Sequence, residues 1–158
     1  MGLTKEFINR PQKITIIVVL IMLISALIVE LTLNNKIEIV LVNINNQKIR
    51  SELVYQPNDL YRGLSGRKSL PENGGMLFNF DESGIRDFVM KDMNFPLDII
   101  FISDNTVVKI FKNLPPEGNN PQKIYNSGVA IDKALEVPAG YTELKDIKVG
   151  DRILITRE

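Results

Sequence analysis

An uncharged apolar run at residues 14–29 (ITIIVVLIMLISALIV) constrains this chain more than any other feature. Extended to Leu33 it has 20 residues, about 30 Å as a helix, the thickness of bilayer hydrocarbon. A charge at the helix centre would cost roughly 2.5–3.5 kcal/mol, and the middle of the run carries none. Lys5, Arg10 and Lys13 precede it, while only Lys36 follows closely. The positive-inside bias therefore predicts a cytoplasmic N-terminus at 1–13, an anchor at 14–33, a linker at 34–36 and an extracytoplasmic domain at 37–158. A cleaved signal peptide would need small residues three and one before the cut, and LIVELTLNN does not supply them. A core helix is the other alternative, but one apolar all round suits a small domain poorly.

His and Cys are both absent. That excludes Ser-His-Asp and Cys-His nucleophiles, zinc sites built from those ligands, and disulfide staples. A hydrophobic core must therefore hold the fold. After residue 33 there are 16 Lys and Arg against 17 Asp and Glu. Such a near-neutral domain lacks the basic stripe that a phosphate backbone requires, so nucleic acid is not an expected partner.

Alternation and turn chemistry then predict a β-rich domain. Strands are expected at 37–44 and 48–55, joined by Asn45-Asn46, which tolerates positive φ. Pro57 opens a short helix in which Asn58 or Asp59 would cap the exposed amides, ending near Gly63 to Gly66. Further strands are expected at 76–80, with Met76, Phe78 and Phe80 on one face, at 85–90, and at 97–102 after Pro96. Asp104-Asn105 turns the chain into 106–111. Residues 112–123 (KNLPPEGNNPQK) read as a mobile loop, followed by strands at 124–131, 134–137 and 152–156, with a one-turn helix near 141–146. The predicted class is mainly β (α+β): about eight short strands and two short helices in an antiparallel barrel-like or sandwich domain, behind one transmembrane helix.

The motifs run in a recognisable order: Arg62-Gly63-Leu64-Ser65-Gly66-Arg67, Leu70-Pro71, Gly75-Met76-Leu77-Phe78, Phe88-Val89-Met90-Lys91-Asp92-Met93 and Pro96-Leu97-Asp98-Ile99-Ile100-Phe101. Leu135-Glu136-Val137-Pro138-Ala139-Gly140 and Gly150-Asp151 complete it. In this order they resemble the bacterial and archaeal family catalogued as domain of unknown function one hundred and ninety-two. The resemblance implies a compact, mostly β fold, often behind a signal or anchor segment, and brings no established activity. Three places depart from the family pattern: Ser65 stands for Met, Val89 for Trp, and Asp92-Met93 for Asn-Thr. Any family site that uses the Trp or the Asn-Thr is altered here.

The charged residues of these motifs, Arg62, Arg67, Lys91, Asp98 and Glu136, form the candidate ligand-binding set. Fixed guanidinium and ammonium groups beside carboxylates suit an anionic or polyhydroxyl ligand. The competing reading makes Arg67–Asp98 or Lys91–Glu136 structural ion pairs. Ser65-Gly66-Arg67-Lys68 matches S-x-x-K, yet Lys68 lies in a turn-rich, exposed segment where it keeps its charge. Met90 and Met93, with Met76, could offer thioethers to Cu(I), but core packing explains them better. Asp81, Glu82, Asp87 and Asp92 lack the spacing of a Ca²⁺ loop. No catalytic residue, metal or cofactor is therefore expected. The reading is a membrane-anchored binding or accessory domain for an envelope polymer, an anionic ligand or a protein. The alternatives are an envelope enzyme using Asp98 with Glu136 on a glycan, which requires both in one cleft, and a purely structural or interaction domain.

Overall fold

The computed structural model describes residues 9–33 and 37–158. The linker at 34–36 and the flanking Lys5 lie outside the described residues. The chain divides into two compact units, Met1–Ile37 and Glu38–Glu158. In the first, α1 runs over Arg10–Leu33 and is apolar around its circumference. It starts four residues before the apolar run because Asn9 caps it. Gln12 Oε1 accepts the Asn9 N–H, and Lys13 N donates to Asn9 O. The hydroxyls of Thr15 and Ser25 donate back to the carbonyls of Pro11 and Met22, so neither requires water. Among the described residues this is the one helix long and apolar enough to cross a membrane.

In the second unit the elements follow as β1 (Glu38–Ile44), β2 (Gln47–Val54), α2 (Pro57–Arg62), β3 (Gly74–Gly84), β4 (Asp87–Phe88) and β5 (Leu97–Ser103). After these come β6 (Thr106–Leu114), β7 (Tyr125–Asn126), β8 (Ile131–Pro138), α3 (Tyr141–Leu144) and β9 (Ile153–Arg157). The two hairpin turns form as their residues demand. Asn45, Asn46, Asp104 and Asn105 all have positive φ, the geometry that matches strand twist. The expected cap on α2 does not form: Gln56 is the N-cap and contributes no side-chain bond. Asp59 instead binds Arg62 one turn on, at 2.7 Å.

Seven strands form one mixed sheet in the order β6-β5-β8-β3-β2-β1-β9. β2 and β3 are parallel, contrary to an all-antiparallel arrangement. The cause is the connection: residues 55–73, which carry α2, are long enough to return the chain to the end where β2 began. The expected strands at 85–90 and 124–131 shrink to β4 and β7, a two-stranded ribbon outside the main sheet. The outer edges of β6 and β9 meet only through the Thr106–Arg152 bridge and neighbouring backbone bonds. These run from Val107 N to Asp151 O, from Gly150 N to Val107 O and from Ile153 N to Asn105 O. The sheet is thus curled like a barrel but not closed as one.

Strand alternation divides the core in two. One face gathers Val42, Ile49, Leu77, Ile100, Leu135 and Val137, with Tyr141 and Ile147 closing one end. The other gathers Met76, Phe78, Ile99, Phe101 and Ala134 beneath Leu64, Met90 and Tyr125. An aromatic chain, Phe78–Phe88–Phe101–Phe111–Tyr125, ties the β4–β7 ribbon to this second face with centroids 5.2–5.9 Å apart. Gly75 sits where β3 is squeezed: a Cβ there would lie 2.9 Å from Ser51 Oγ and 3.0 Å from Glu136 O. Gly75→Ala should therefore cost about 1–3 kcal/mol through overpacking, measured as a lower urea midpoint with an unchanged m-value.

Candidate functional site

The two motif carboxylates, Asp98 and Glu136, do not share a cleft in this chain. Asp98 pairs in register with Val137, and Ile99 with Glu136. Side chains alternate along a strand, so Asp98 lies on the Val137 face and Glu136 on the opposite one. The paired-carboxylate enzyme arrangement is ruled out for these two residues.

Asp98 is fully buried and acts as a clamp. Its Oδ1 accepts the N–H groups of Asn113 (2.8 Å) and Gly140 (3.1 Å). Its Oδ2 accepts Thr142 N–H (3.0 Å) and Thr142 Oγ1–H (2.6 Å). One carboxylate thereby binds the end of β6 and the first turn of α3 to the start of β5. Charge-assisted bonds of this kind compensate for its burial.

Glu136 is the opposite case. Only 6% of it is exposed, its register neighbours are Met76 and Ile99, and its Oε2 has no hydrogen-bond partner. Burial raises its pKa from 4.5 to about 8, so it is a neutral acid near pH 7.

The basic residues are engaged elsewhere. Arg67 makes a two-pronged pair with Glu52, both guanidinium nitrogens lying within 2.6 Å of its oxygens. These hydrogen bonds raise the Arg67 pKa against the opposing effect of burial. Neither the Arg67–Asp98 nor the Lys91–Glu136 pair forms. Geometry dictates this: Glu52 is on the same sheet face as Met76 and faces the loop bearing Arg67, whereas Asp98 points through to the other side. Arg62 pairs with Asp59 at the exposed end of α2. Lys91 Nζ lies 5.8 Å from the centre of the Tyr61 ring. Ser65 Oγ donates to Lys91 O at 2.8 Å and so secures a loop. Lys68 is exposed, and no activated nucleophile results. Met76 and Met90 are core residues. Asp81 and Glu82 are exposed, and Asp87 accepts a bond from Asn126. Among the described residues no three acidic side chains converge on a metal position.

The residues that do converge are different. At the end of the sheet where β5 begins and β6 finishes, a pocket of about 470 Å³ is lined by Gly66 and residues 92–94 and 116–118. Three loops form it, stitched together by backbone bonds: Gly66 N to Asp92 O (2.8 Å), Asp92 N to Gly118 O (3.1 Å) and Glu117 N to Met90 O (3.0 Å). Asn94 Nδ2 adds a bond to Arg67 O. Asp92 has φ +52°, a left-handed conformation that Asp and Asn adopt more readily than other non-glycine residues. Glu117 Oε1 accepts Gln122 N–H, while its buried Oε2 has no partner. Burial, then the neighbouring Glu117 charge, raises the pKa of the Tyr125 phenol. Glu117 lies in the Pro/Asn/Gly segment expected to be a mobile loop, and no motif points to it. The available signal was the unusual length of that loop, a common mark of a functional one.

The family profile described as DUF192, uncharacterised ACR, matches residues 40–155. Two crystal structures share the fold, each with a TM-score of 0.67, 28% identity and 75% of this chain covered. One is a Sinorhizobium meliloti 1021 protein provisionally assigned as a transcription regulator, 93% of which is covered. The other, of unknown function, comes from Novosphingobium aromaticivorans DSM 12444 and is covered over 84%. No curated protein matches the chain.

Asp98→Asn should destabilise the domain by about 3 kcal/mol, read by chemical denaturation, because an amide NH₂ would face N–H donors. Glu136 gives a pH signature. Its folded pKa lies above its unfolded value, so its favourable contribution is full below pH 4.5 and is lost as pH rises towards about 8. Stability should fall across that window by up to about 1.4 kcal/mol per pH unit. Glu136→Gln should flatten the slope; an unchanged slope would assign it to other groups.

Proposed function

The chain belongs to the uncharacterised DUF192 family, and on that premise we propose a membrane-anchored domain that binds a small polar ligand outside the cytoplasm. The pocket carries the reading. Its volume of about 470 Å³ falls within the range of small-molecule sites. The backbone bonds linking its three loops favour a site formed before the ligand arrives, which lowers the ordering cost of binding. Helix α1 supports anchoring, and Arg10 and Lys13 on its N-terminal side support a cytoplasmic N-terminus.

Other readings have less support. An anionic ligand would need the convergent cations expected from the motifs, but Arg62, Arg67 and Lys91 each have another partner. A DNA-binding role, suggested by the provisional assignment of the Sinorhizobium protein, fits poorly with 16 basic against 17 acidic residues after position 33.

Gly118 lines the pocket, and a Cβ there would meet no atom within 4 Å. Gly118→Trp should therefore leave stability within about 0.5 kcal/mol while filling the site. Small molecules released from detergent-purified protein and identified by mass spectrometry should include a species present in the wild type and missing from the variant. Identical profiles from two equally stable proteins would refute binding at this pocket.

A further inference from the structure

β1 begins at one end of the sheet, and the strand directions put the end of β2, the end of β3 and the start of β8 at the same end. Segments 83–85 (Ser-Gly-Ile) and 127–130 (Ser-Gly-Val-Ala) run side by side there. Gly84 pairs with Ile131, Ser127 N donates to Arg86 O, and Arg86 N donates to Ser127 Oγ. Neither segment contains a charged residue, and Ile85 is 62% and Val129 48% exposed. Tyr55, which follows β2, and Ile37, which precedes β1, are also exposed at this end. At the opposite end the exposed Leu144 and Val149 stand in a charged stretch, where Lys148 pairs with Asp146. Both ends expose apolar side chains, but only the β1 end sets two uncharged segments against each other.

Resting on the anchored reading above, we propose that this end of the domain docks on the bilayer surface, with Ile85 and Val129 entering the boundary between headgroups and acyl chains. The tether selects lipid as the occupant. Residues 34–37 alone separate Leu33, the end of α1, from Glu38, the start of β1. Fully extended, that stretch reaches about 18 Å, comparable to the radius of gyration of about 14 Å for a domain of this size. Chain length thus confines the entry point of β1, and the uncharged segments at the same end, to the neighbourhood of the bilayer. The anchor also makes the contact intramolecular, so a few aliphatic side chains suffice where an untethered domain would need more. Tyr55 suits the headgroup level, where a ring with a polar tip is favoured. Ser127 Oγ already donates to Val129 O, which satisfies that carbonyl as water leaves. Asp81, Glu82 and Asp104 border the patch, so the contact is apolar and fits neutral rather than anionic headgroups.

The chain has no Trp, so a single introduced Trp reports its own surroundings. Full-length Ile85→Trp, Val129→Trp, Val149→Trp and, within α1, Leu27→Trp are reconstituted in phosphatidylcholine bilayers with and without lipid dibrominated on its acyl chains. Bromine should quench the probes at 85 and 129 about twofold, and added salt should not relieve it because the contact is apolar. Leu27→Trp should be quenched and Val149→Trp should not. Adding Ile85→Asp to Val129→Trp should lower its quenching to the Val149→Trp level, with an unchanged urea midpoint showing that the domain is still folded. Quenching of Leu27→Trp alone, equal quenching at 129 and 149, or no response to Ile85→Asp would overturn docking of this end while the anchor stands. An unquenched Leu27→Trp would overturn the anchored reading itself, and the docking with it.

Discussion

The carboxylate of Asp98 joins three pieces of backbone that sequence separation would otherwise leave independent: the start of β5, the end of β6 and the turn into α3. The four donors that converge on it come from residues 15 to 44 positions away. Its position also explains why the pocket lies where it does. Residues 92–94 lead into the strand that carries Asp98, and residues 116–118 follow the strand end whose Asn113 amide it holds. Two of the three pocket loops are thus hinged on strands that meet at one buried charge. Such a charge is tolerable only because each oxygen is met by two donors.

A single residue further along β5, the same sheet presents the opposite solution. Glu136 is carried by the partner of Ile99 rather than of Asp98, so it points away from the clamp into Met76, Ile99 and their apolar surroundings. With no donors supplied, it takes up a proton rather than a partner. Both carboxyls belong to β5–β8 and both are buried, yet one is held by hydrogen bonds and the other by protonation. The difference follows from the two-residue period of the strands.

Much of the architecture was legible because its signals are local. The uncharged run at 14–29 specifies α1, and the pairs Asn45-Asn46 and Asp104-Asn105 specify two hairpins through positive φ. Alternation places Met76 and Phe78 on one face of β3. Pairing between distant segments was not legible. Nothing in residues 55–73 announces that β3 will align parallel to β2, nor that 85–90 and 124–131 will form a ribbon rather than join the main sheet. The site suffered most from this limit. Arg67, Lys91, Asp98 and Glu136 are each engaged in the fold: an ion pair to Glu52, a ring contact to Tyr61, a backbone clamp and a buried acid. The pocket depends on Glu117, which belongs to no motif and gains meaning only when β6 delivers its loop beside residues 92–94.

The motif positions Ser65, Val89, Asp92 and Met93 sit in unlike surroundings. Ser65 Oγ donates to the Lys91 carbonyl, which anchors the loop around Gly66. Val89, which follows β4, is 42% exposed, and Ile124, which precedes β7, is 66% exposed. A side chain at position 89 therefore meets surface rather than core. Asp92 and Met93 line the pocket, and Met93 also packs against the second core face. The backbone bonds at Asp92 and Glu117 hold the pocket walls together through main-chain atoms alone. The division of labour is physical: residues that contact backbone or core, Met93 among them, fix the frame, while Asp92 is bound into it through its main chain.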